Sequence, residues 1–222
     1  MFKVNSSQFN YQYGDQIHFP YSIASLVSFI KADDELKNKF NFEKTSVFRG
    51  KIDGYIKQCT DSDILMCSCY VWNWEITVHL AREVKKLNPK CTIIFGGPQV
   101  PNDTTEFFTK YPFLDILVHG EGELIIKNIF HAYLSDQDYS EVKGISTKDF
   151  SNGPESRITD LDIIPSPFLT NTIWDLVEKI DGITWICSWE TNRGCPYMCT
   201  YCDWGSATFT KMRQHTTERQ FS

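Results

Sequence analysis

The chain has 222 residues, of which 41% are hydrophobic and 23% are charged, with a formal net charge of −6. These values are typical of a globular protein with one large or two small domains, and an acidic chain has no general attraction for nucleic acid. The polar N-terminus and the lack of an apolar run of membrane length predict a cytoplasmic protein without a secretory signal or membrane partner. In that compartment the eight cysteines are expected to be free thiols or metal ligands.

Strand-like and helix-like segments alternate through residue 147. Strands are predicted at 2–9, 45–48, 63–72, 92–95, 115–118 and 144–147, and helices at 22–33, 51–59, 74–88, 104–111 and 123–134. The helix at 74–88 is the clearest, because Ile76, Leu80 and Val84 recur at helical spacing and Asn73 is placed to cap it. The alternation predicts an α/β fold, a Rossmann-like or flavodoxin-like parallel sheet with helices on both faces.

The rest of the chain has a different pattern. Residues 148–181 form a predicted linker, in which ITDLDIIPSPFL at 158–169 contains two prolines and is expected to be extended. Residues 182–222 follow as a separate unit. The predicted domains are therefore 1–147, 148–181 and 182–222.

Parallel sheets bind ligands where the carboxyl ends of their strands meet. The loops predicted at that edge include CYVWN at 69–73, GGPQ at 96–99 and HGEGE at 119–123. Their glycines permit close approach of a ligand, although each could also serve only its turn. Glu121 and Glu123 could contact a ligand, but stabilisation of the following helix N-terminus is favoured. No G-x-G-x-x-G follows a strand, which argues against NAD.

Three cysteines, Cys195, Cys199 and Cys202, have the spacing C-x-x-x-C-x-x-C. A structural zinc site needs four ligands, so a zinc site is an alternative if Cys187 or His215 supplies the fourth ligand. An iron–sulfur cluster held by three thiolates would leave one iron open. The remaining cysteines, Cys59, Cys67, Cys69, Cys91 and Cys187, are predicted to be small buried hydrophobic residues. The cations Arg193, Lys211, Arg213 and Arg219 are predicted to lie on a solvated surface.

The stretch ETNRGCPYMCTYCDWGS at 190–206 resembles the cluster loop of radical S-adenosylmethionine (AdoMet) enzymes. The resemblance implies that Cys195, Cys199 and Cys202 bind a [4Fe–4S] cluster, that AdoMet binds the open iron and that Tyr201 lies near its adenine. It also implies that an electron donor reduces the cluster, and that the resulting 5′-deoxyadenosyl radical attacks a small-molecule or peptide substrate.

The N-terminal loops resemble those of the cobalamin-binding (B12-binding) subfamily of these enzymes. The resemblance implies that cobalamin contacts three loops, through Tyr70, Val71, Trp72, Asn73, Gly96, Gly97, Pro98, Gln99, Gly120, Glu121 and Gly122. The motif D-x-H-x-x-G, which gives a histidine to cobalt in other B12 proteins, is absent. Cobalt is therefore expected to lack a protein histidine.

The subfamily resemblance implies a methyltransferase, with no catalytic residue assignable. GITWICSW at 182–189 would be the first strand of a partial TIM-like barrel. The chain is therefore expected to be a fragment, a truncated gene product or half of a split enzyme whose other polypeptide supplies the remaining barrel strands. This chain alone would not complete the catalytic site. Two alternatives are a cobalamin-binding module with a vestigial cluster loop and a zinc-stabilised flavodoxin-like domain.

Overall fold

A computed structural model describes residues 1–135, 137–197, 199–201 and 212–221. Its strands, in chain order, are β1 (Phe2–Asn10), β2 (Gln12–Tyr13), β3 (Gln16–His18), β4 (Phe40–Phe42), β5 (Ser46–Phe48), β6 (Ile64–Ser68), β7 (Thr92–Gly96), β8 (Ile116–Val118), β9 (Ile145–Ser146), β10 (Thr184–Ile186), β11 (Asn192–Arg193) and β12 (Arg213–Gln214). Its α-helices are α1 (Tyr21–Lys31), α2 (Ile52–Gln58), α3 (Trp74–Leu87), α4 (Phe107–Lys110), α5 (Gly122–Leu134), α6 (Thr172–Asp175) and α7 (Thr217–Gln220).

Within these residues, seven strands form a central sheet in the order β4-β1-β6-β7-β8-β9, with β5 also paired to β1. Every pairing is parallel except that of β8 with β9, which is antiparallel. The predicted α/β fold with a largely parallel sheet is confirmed. The antiparallel edge strand was not anticipated, although such a strand is common at the edge of an otherwise parallel sheet.

Helices cover both faces of the sheet, as predicted. The two faces of β6 show this directly, because Ile64 and Met66 belong to one hydrophobic cluster whereas Leu65 and Cys67 belong to the other. Helices α1 and α5 pack on the first face and against each other, and α3 packs on the second. Successive side chains of a strand point to opposite faces, so a continuous apolar run fits a strand covered on both sides.

Two predicted elements are shorter than expected. The strand predicted at 63–72 ends at Ser68, and the chain then turns through residues 71–73 before α3 begins. The helix predicted at 104–111 is reduced to Phe107–Lys110. Before it, the Asp103 carboxylate accepts hydrogen bonds from the backbone N–H and hydroxyl of Thr105, a local turn that competes with helix formation.

The stretch at 158–169, expected to be extended, contains a 3₁₀ turn at Leu161–Ile163 and packs on the helical layer. Ile158, Leu161 and Ile164 are buried against Phe29 of α1. The apolar side chains of this stretch therefore fix its path over the protein. The division into three domains stays a prediction.

The C-terminal part contributes two further small sheets. Strand β10 confirms that 182–189 contains a strand, but it pairs in parallel with β3, which is antiparallel to β2. The partial TIM-like barrel thus stays a prediction. Strands β11 and β12 form an antiparallel ribbon in which Arg193 is opposite Arg213. Among the helices described, none is long and apolar enough to cross a membrane.

Candidate functional site

The carboxyl ends of β6, β7 and β8 meet at one edge of the sheet, where they border a cavity of about 270 Å³. Six of the predicted cobalamin residues line it: Tyr70, Gly96, Gly97, Gly120, Glu121 and Gly122. The wall also includes Tyr21 and Ser25 from α1, and Glu190 and Arg193 from the C-terminal part. Burial raises the pKa of Tyr21 to about 12, with a further contribution from the negative charge of Glu190, so this phenol is neutral at pH 7.

The other predicted residues of the first two loops lie outside this cavity. Val71, Trp72, Asn73, Pro98 and Gln99 are not among the residues that line it. Val71 is 75% exposed, and the Trp72 ring stacks on the Tyr70 ring with centroids 4.4 Å apart. These two aromatic rings form a flat surface beside the cavity mouth.

Asn73 shapes the loop between β6 and α3 from inside the protein. Its side chain is fully buried, accepts a hydrogen bond from the Tyr70 N–H at 2.8 Å, and donates to the carbonyls of Ser68 and Phe9. The prediction that it caps α3 is wrong in detail, because the side chain makes no capping hydrogen bond to that helix. The amide instead satisfies backbone groups of the turn that precedes the helix.

The glycines of the cavity differ in what they do. Gly97 has φ +108°, and a Cβ there would lie 2.6 Å from the Cys69 carbonyl oxygen, so the fold itself requires glycine. Gly120 also has a positive φ, +86°, but a Cβ would meet no atom within 4 Å. The sheet edge is therefore open at Gly120, which fits a ligand that lies across the loop.

Glu121 and Glu123 bind arginines, an arrangement that sequence analysis missed. Glu123 is buried, and its two oxygens accept hydrogen bonds from Arg193 at 2.6 and 3.0 Å. Glu121 accepts from both terminal nitrogens of Arg213 and from the Nε of Arg157 at 3.0 Å. Neither side chain caps α5, whose N-cap residue is Glu121 without a capping hydrogen bond. Glu123 lies in the first turn of α5, where a negative charge stabilises the helix N-terminus as predicted, and both carboxylates form ion pairs in addition.

The prediction that the C-terminal cations are solvated is wrong for Arg193 and Arg213, whose side chains are 14% and 9% exposed. Burial alone would lower the pKa of Arg193, but its hydrogen bonds to Glu123 and Glu190 outweigh that effect and raise it. Burial alone would raise the pKa of Glu121, whereas the arginines that bind it lower it overall. Arg193 and Glu121 are therefore both ionised at neutral pH. Lys211 lies outside the described residues.

The cysteine loop lies between Arg193 and Arg213 in the sequence. Cys195 is half-buried, Cys199 is exposed and Tyr201 is 90% exposed, while Cys202 lies outside the described residues. Two thiols accessible on one short stretch suit a metal that favours sulfur ligands, which includes iron–sulfur clusters and zinc. Among the described residues, no group of three or more histidine, cysteine or acidic side chains is arranged to hold a metal ion.

The other cysteines divide into two groups. Cys59, Cys67, Cys69 and Cys91 are buried, as predicted, and burial raises the pKa of each thiol, to about 12 for Cys59 and Cys91. Cys187 is exposed, so the prediction that it is buried is wrong. The other candidate fourth zinc ligand, His215, is buried with its Nδ1 3.0 Å from an oxygen of Asp162.

Known proteins are similar to most of this chain. No protein-family model matches the chain. The chain is 34% identical over 201 residues to the cobalamin-dependent radical SAM methyltransferase TokK of Streptomyces tokunonensis and, over the same length, to the 2-(S-pantetheinyl)-carbapenam-3-carboxylate methyltransferase of Streptantibioticus cattleyicolor. Each alignment covers 87% of this chain and 30% of the relative. An anaerobic magnesium-protoporphyrin IX monomethyl ester cyclase of Synechocystis is 26% identical over 155 residues, covering 66% of this chain and 30% of the cyclase.

These relatives confirm the resemblance found in the sequence: the chain is homologous to cobalamin-dependent radical SAM methyltransferases over most of its length. The chain spans about 30% of the length of those two methyltransferases.

Proposed function

We propose that this chain forms the cobalamin-binding and cluster-binding part of a cobalamin-dependent radical SAM methyltransferase. The observation that carries the proposal is a shared wall. Gly96, Gly97 and Gly120 border the cavity from the sheet, while Glu190 and Arg193, which lead into the cysteine loop, border it from the C-terminal part. A ligand at the sheet edge would therefore lie beside the stretch that carries Cys195.

For cobalamin, the chain supplies an open edge and an aromatic surface. The corrin would lie across the opening at Gly120, with the stacked rings of Tyr70 and Trp72 beside it. Asn73 would act through the loop that it holds and not by direct contact, because its side chain is buried in internal hydrogen bonds. Val71, Pro98 and Gln99 would contact parts of the ligand that extend outside the cavity.

For the cluster, Cys195, Cys199 and Cys202 would supply three thiolates and leave one iron for AdoMet, with Tyr201 near the adenine. When bound, the cluster and cobalamin supply the radical and methyl-transfer chemistry, while the protein holds them in place. The exposure of Cys199 and Tyr201 leaves this side of the loop accessible to AdoMet and to an electron donor. Tyr21 is neutral, so it adds a hydrogen-bonding hydroxyl to the cavity without charge.

Methyl transfer is proposed from the two relatives at 34% identity, and the substrate is proposed to be a small molecule or a peptide. The similarity to an anaerobic magnesium-protoporphyrin IX monomethyl ester cyclase, at 26% identity, supports a second candidate, ring-closing radical chemistry without methyl transfer. Transfer of a labelled methyl group from AdoMet to reduced cobalamin would separate the two. Label in the corrin-bound methyl group supports the methyltransferase proposal.

The proposal is tested by anaerobic reconstitution with iron, sulfide and hydroxocobalamin, followed by metal analysis and visible spectroscopy. We expect retained cobalt and about four iron atoms per chain. Cys195→Ala and Cys199→Ala should each lose most of the iron, whereas Cys187→Ala, a change at an exposed cysteine outside the loop, should keep it. Stoichiometric zinc without iron would overturn the cluster. Failure to retain cobalt would overturn the cobalamin site.

A further inference from the structure

A largely buried ion-pair cluster joins the start of α5 to both strands that flank the cysteine loop. Arg193 of β11 binds Glu123 through two hydrogen bonds, and Arg213 of β12 binds Glu121 through two more. Arg193 Nη1 is also 3.8 Å from a Glu121 oxygen, which connects the two pairs. We name these four side chains the arginine clamp.

The ribbon gives the clamp its geometry. Arg193 and Arg213 are direct partners across β11 and β12, so the two ends of the stretch that contains Cys195 and Cys199 are brought together. Each end is then held by one carboxylate of the same loop. Glu121 and Glu123 lie two residues apart at the start of α5, and this spacing matches the two arginines of the ribbon.

Additional contacts fix the clamp within the protein. Ser25 of α1 donates a hydrogen bond to Glu123 at 3.1 Å, and Glu190 accepts hydrogen bonds from Arg193 at 2.9 and 3.0 Å. Forked hydrogen bonds between arginine and carboxylate fix orientation as well as distance. With a Glu123 side chain that is only 5% exposed, loss of Arg193 would leave an unpaired carboxylate in a site with little water.

The clamp also belongs to the cavity wall. Glu121, Glu123 and Arg193 are three of its four side chains, and all three line the cavity at the sheet edge. A ligand in the cavity would therefore contact the groups that hold the cysteine loop. Conversely, a cluster bound by Cys195 and Cys199 would be connected to one wall of the cavity through Arg193. Two ligands that contact one set of side chains can change each other's affinity through it.

We infer that Glu121 and Glu123 are positioning residues that hold the cysteine loop against the cobalamin site, so that cluster binding and cobalamin binding strengthen each other. This inference rests on the proposed function of the two sites. In this role neither carboxylate binds metal. The two carboxylates bind the two arginines, and the arginines fix the position of the loop.

The experiment measures the dissociation constant for hydroxocobalamin by anaerobic equilibrium dialysis, with and without a reconstituted cluster. In the parent chain we expect at least about fivefold tighter binding when the cluster is present, the lower end of typical coupling between sites. Glu123→Gln should keep its iron, because all cysteines remain, but reduce this ratio to about one. Glu178→Gln, which neutralises the exposed pair with Lys51, is the matched control and should keep the parent ratio.

Two further measurements test the inference even if Glu123→Gln folds poorly. Arg193→Lys keeps the positive charge but loses the forked contact, so its ratio should fall between those of the parent and Glu123→Gln. Tryptic cleavage after Arg213, which is 9% exposed, should be slow in the parent and several-fold faster in Glu121→Gln. Cleavage at the exposed Lys37 should stay the same in both and serves as the internal standard.

The outcomes separate the inference from the proposed function. If the parent binds neither cobalamin nor iron, the proposed function fails. If the parent binds both with no coupling, or if Glu123→Gln keeps the full coupling, the proposed function stands and the clamp inference is overturned. Loss of coupling in Glu123→Gln together with retained iron and faster cleavage at Arg213 in Glu121→Gln supports the inference.

Discussion

The central sheet and the C-terminal part are held together by different forces. The sheet buries two hydrophobic clusters, one on each face, that include fully buried residues such as Phe95 and Ile129. Among the described residues after 181, only His215 is buried, and this part is held by arginine–carboxylate pairs, two short strand pairings and the packing of Ile183 and Trp185 on apolar side chains of the N-terminal part. A hydrophobic core makes the sheet a stable scaffold, whereas ionic contacts let the cysteine loop be positioned without a core of its own.

The largest effect should come from the core of the sheet. Phe95 of β7 is fully buried and packs edge-on against Trp74. Phe95→Ala should lower the free energy of unfolding by about 3–5 kcal/mol, because it removes a large side chain and leaves a cavity. Urea denaturation followed by circular dichroism measures this value. Leu87→Ala, at a side chain that is 60% exposed, is the control and should change stability little. Equal effects of the two changes would contradict the two-cluster description.

Gly97 tests the loop that joins the scaffold to the site. Gly97→Ala should cost about 1–3 kcal/mol, because alanine disfavours φ +108° and its Cβ would press on the Cys69 carbonyl oxygen. Thermal unfolding checks the loss. Gly153→Ala, where a Cβ meets open space and φ is not in the left-handed region, should cost much less. If Gly97→Ala is as stable as the parent, the turn is not held as described.

The fold was predictable because apolar periodicity is local. The continuous apolar run of β6 and the spacing of Leu80 and Val84 in α3 each specify an element from a few neighbouring residues. Boundaries were less predictable: Tyr70–Trp72 are as apolar as the strand before them, yet Asn73 turns the chain through hydrogen bonds to Ser68 and Phe9. The Phe9 contact spans 64 residues, and no local pattern contains that information.

The candidate site was predictable only in part. The loops at the strand ends and the cysteine spacing could be found because topology and motif specify them. The arginine clamp could not, because its pairs join residues 70 and 92 positions apart and charged residues carry no period that indicates a distant partner. The sequence indicated the clamp only through the positions of its residues: two arginines flank the cysteines, and two glutamates occur in the glycine-containing stretch HGEGE.

The clamp should make docking of the C-terminal part sensitive to acid. Arginine contacts lower the pKa of Glu121 below its unfolded value of about 4.3, so its stabilisation is complete above that value and disappears as pH falls through the folded pKa. The hydrogen bond with Thr216 and that with His215 likewise lower the pKa of Asp162. Loss of charge–charge hydrogen bonds at Glu121 should weaken docking by about 1.5–3 kcal/mol.

Hydrogen exchange across residues 190–193 and 212–216, corrected for the intrinsic effect of pH, measures this docking. In the parent, protection should decrease below about pH 4.3 while the sheet stays protected. Glu121→Gln should lower protection at neutral pH and reduce its dependence on pH, leaving the part due to Asp162. Glu83→Gln, which removes an exposed pair with Lys86 on α3, should leave these segments unchanged. Simultaneous loss of protection in both regions would contradict the distinction between them.

The smallest expected effect concerns the histidines. None of the five histidines, all in the described part of the chain, lines the cavity. His119 is nearest in sequence to the predicted cobalamin loop, but its Nε2 is 2.8 Å from the Ser146 hydroxyl, and burial lowers its pKa. Cobalt should therefore lack a protein imidazole, as the missing D-x-H-x-x-G predicts.

Electron paramagnetic resonance of the cob(II)alamin complex should show no nitrogen superhyperfine splitting from protein, and His119→Ala should leave the spectrum unchanged. Added imidazole provides the positive control for splitting. Splitting in the parent that disappears in His119→Ala would show that this side chain leaves Ser146 to reach cobalt.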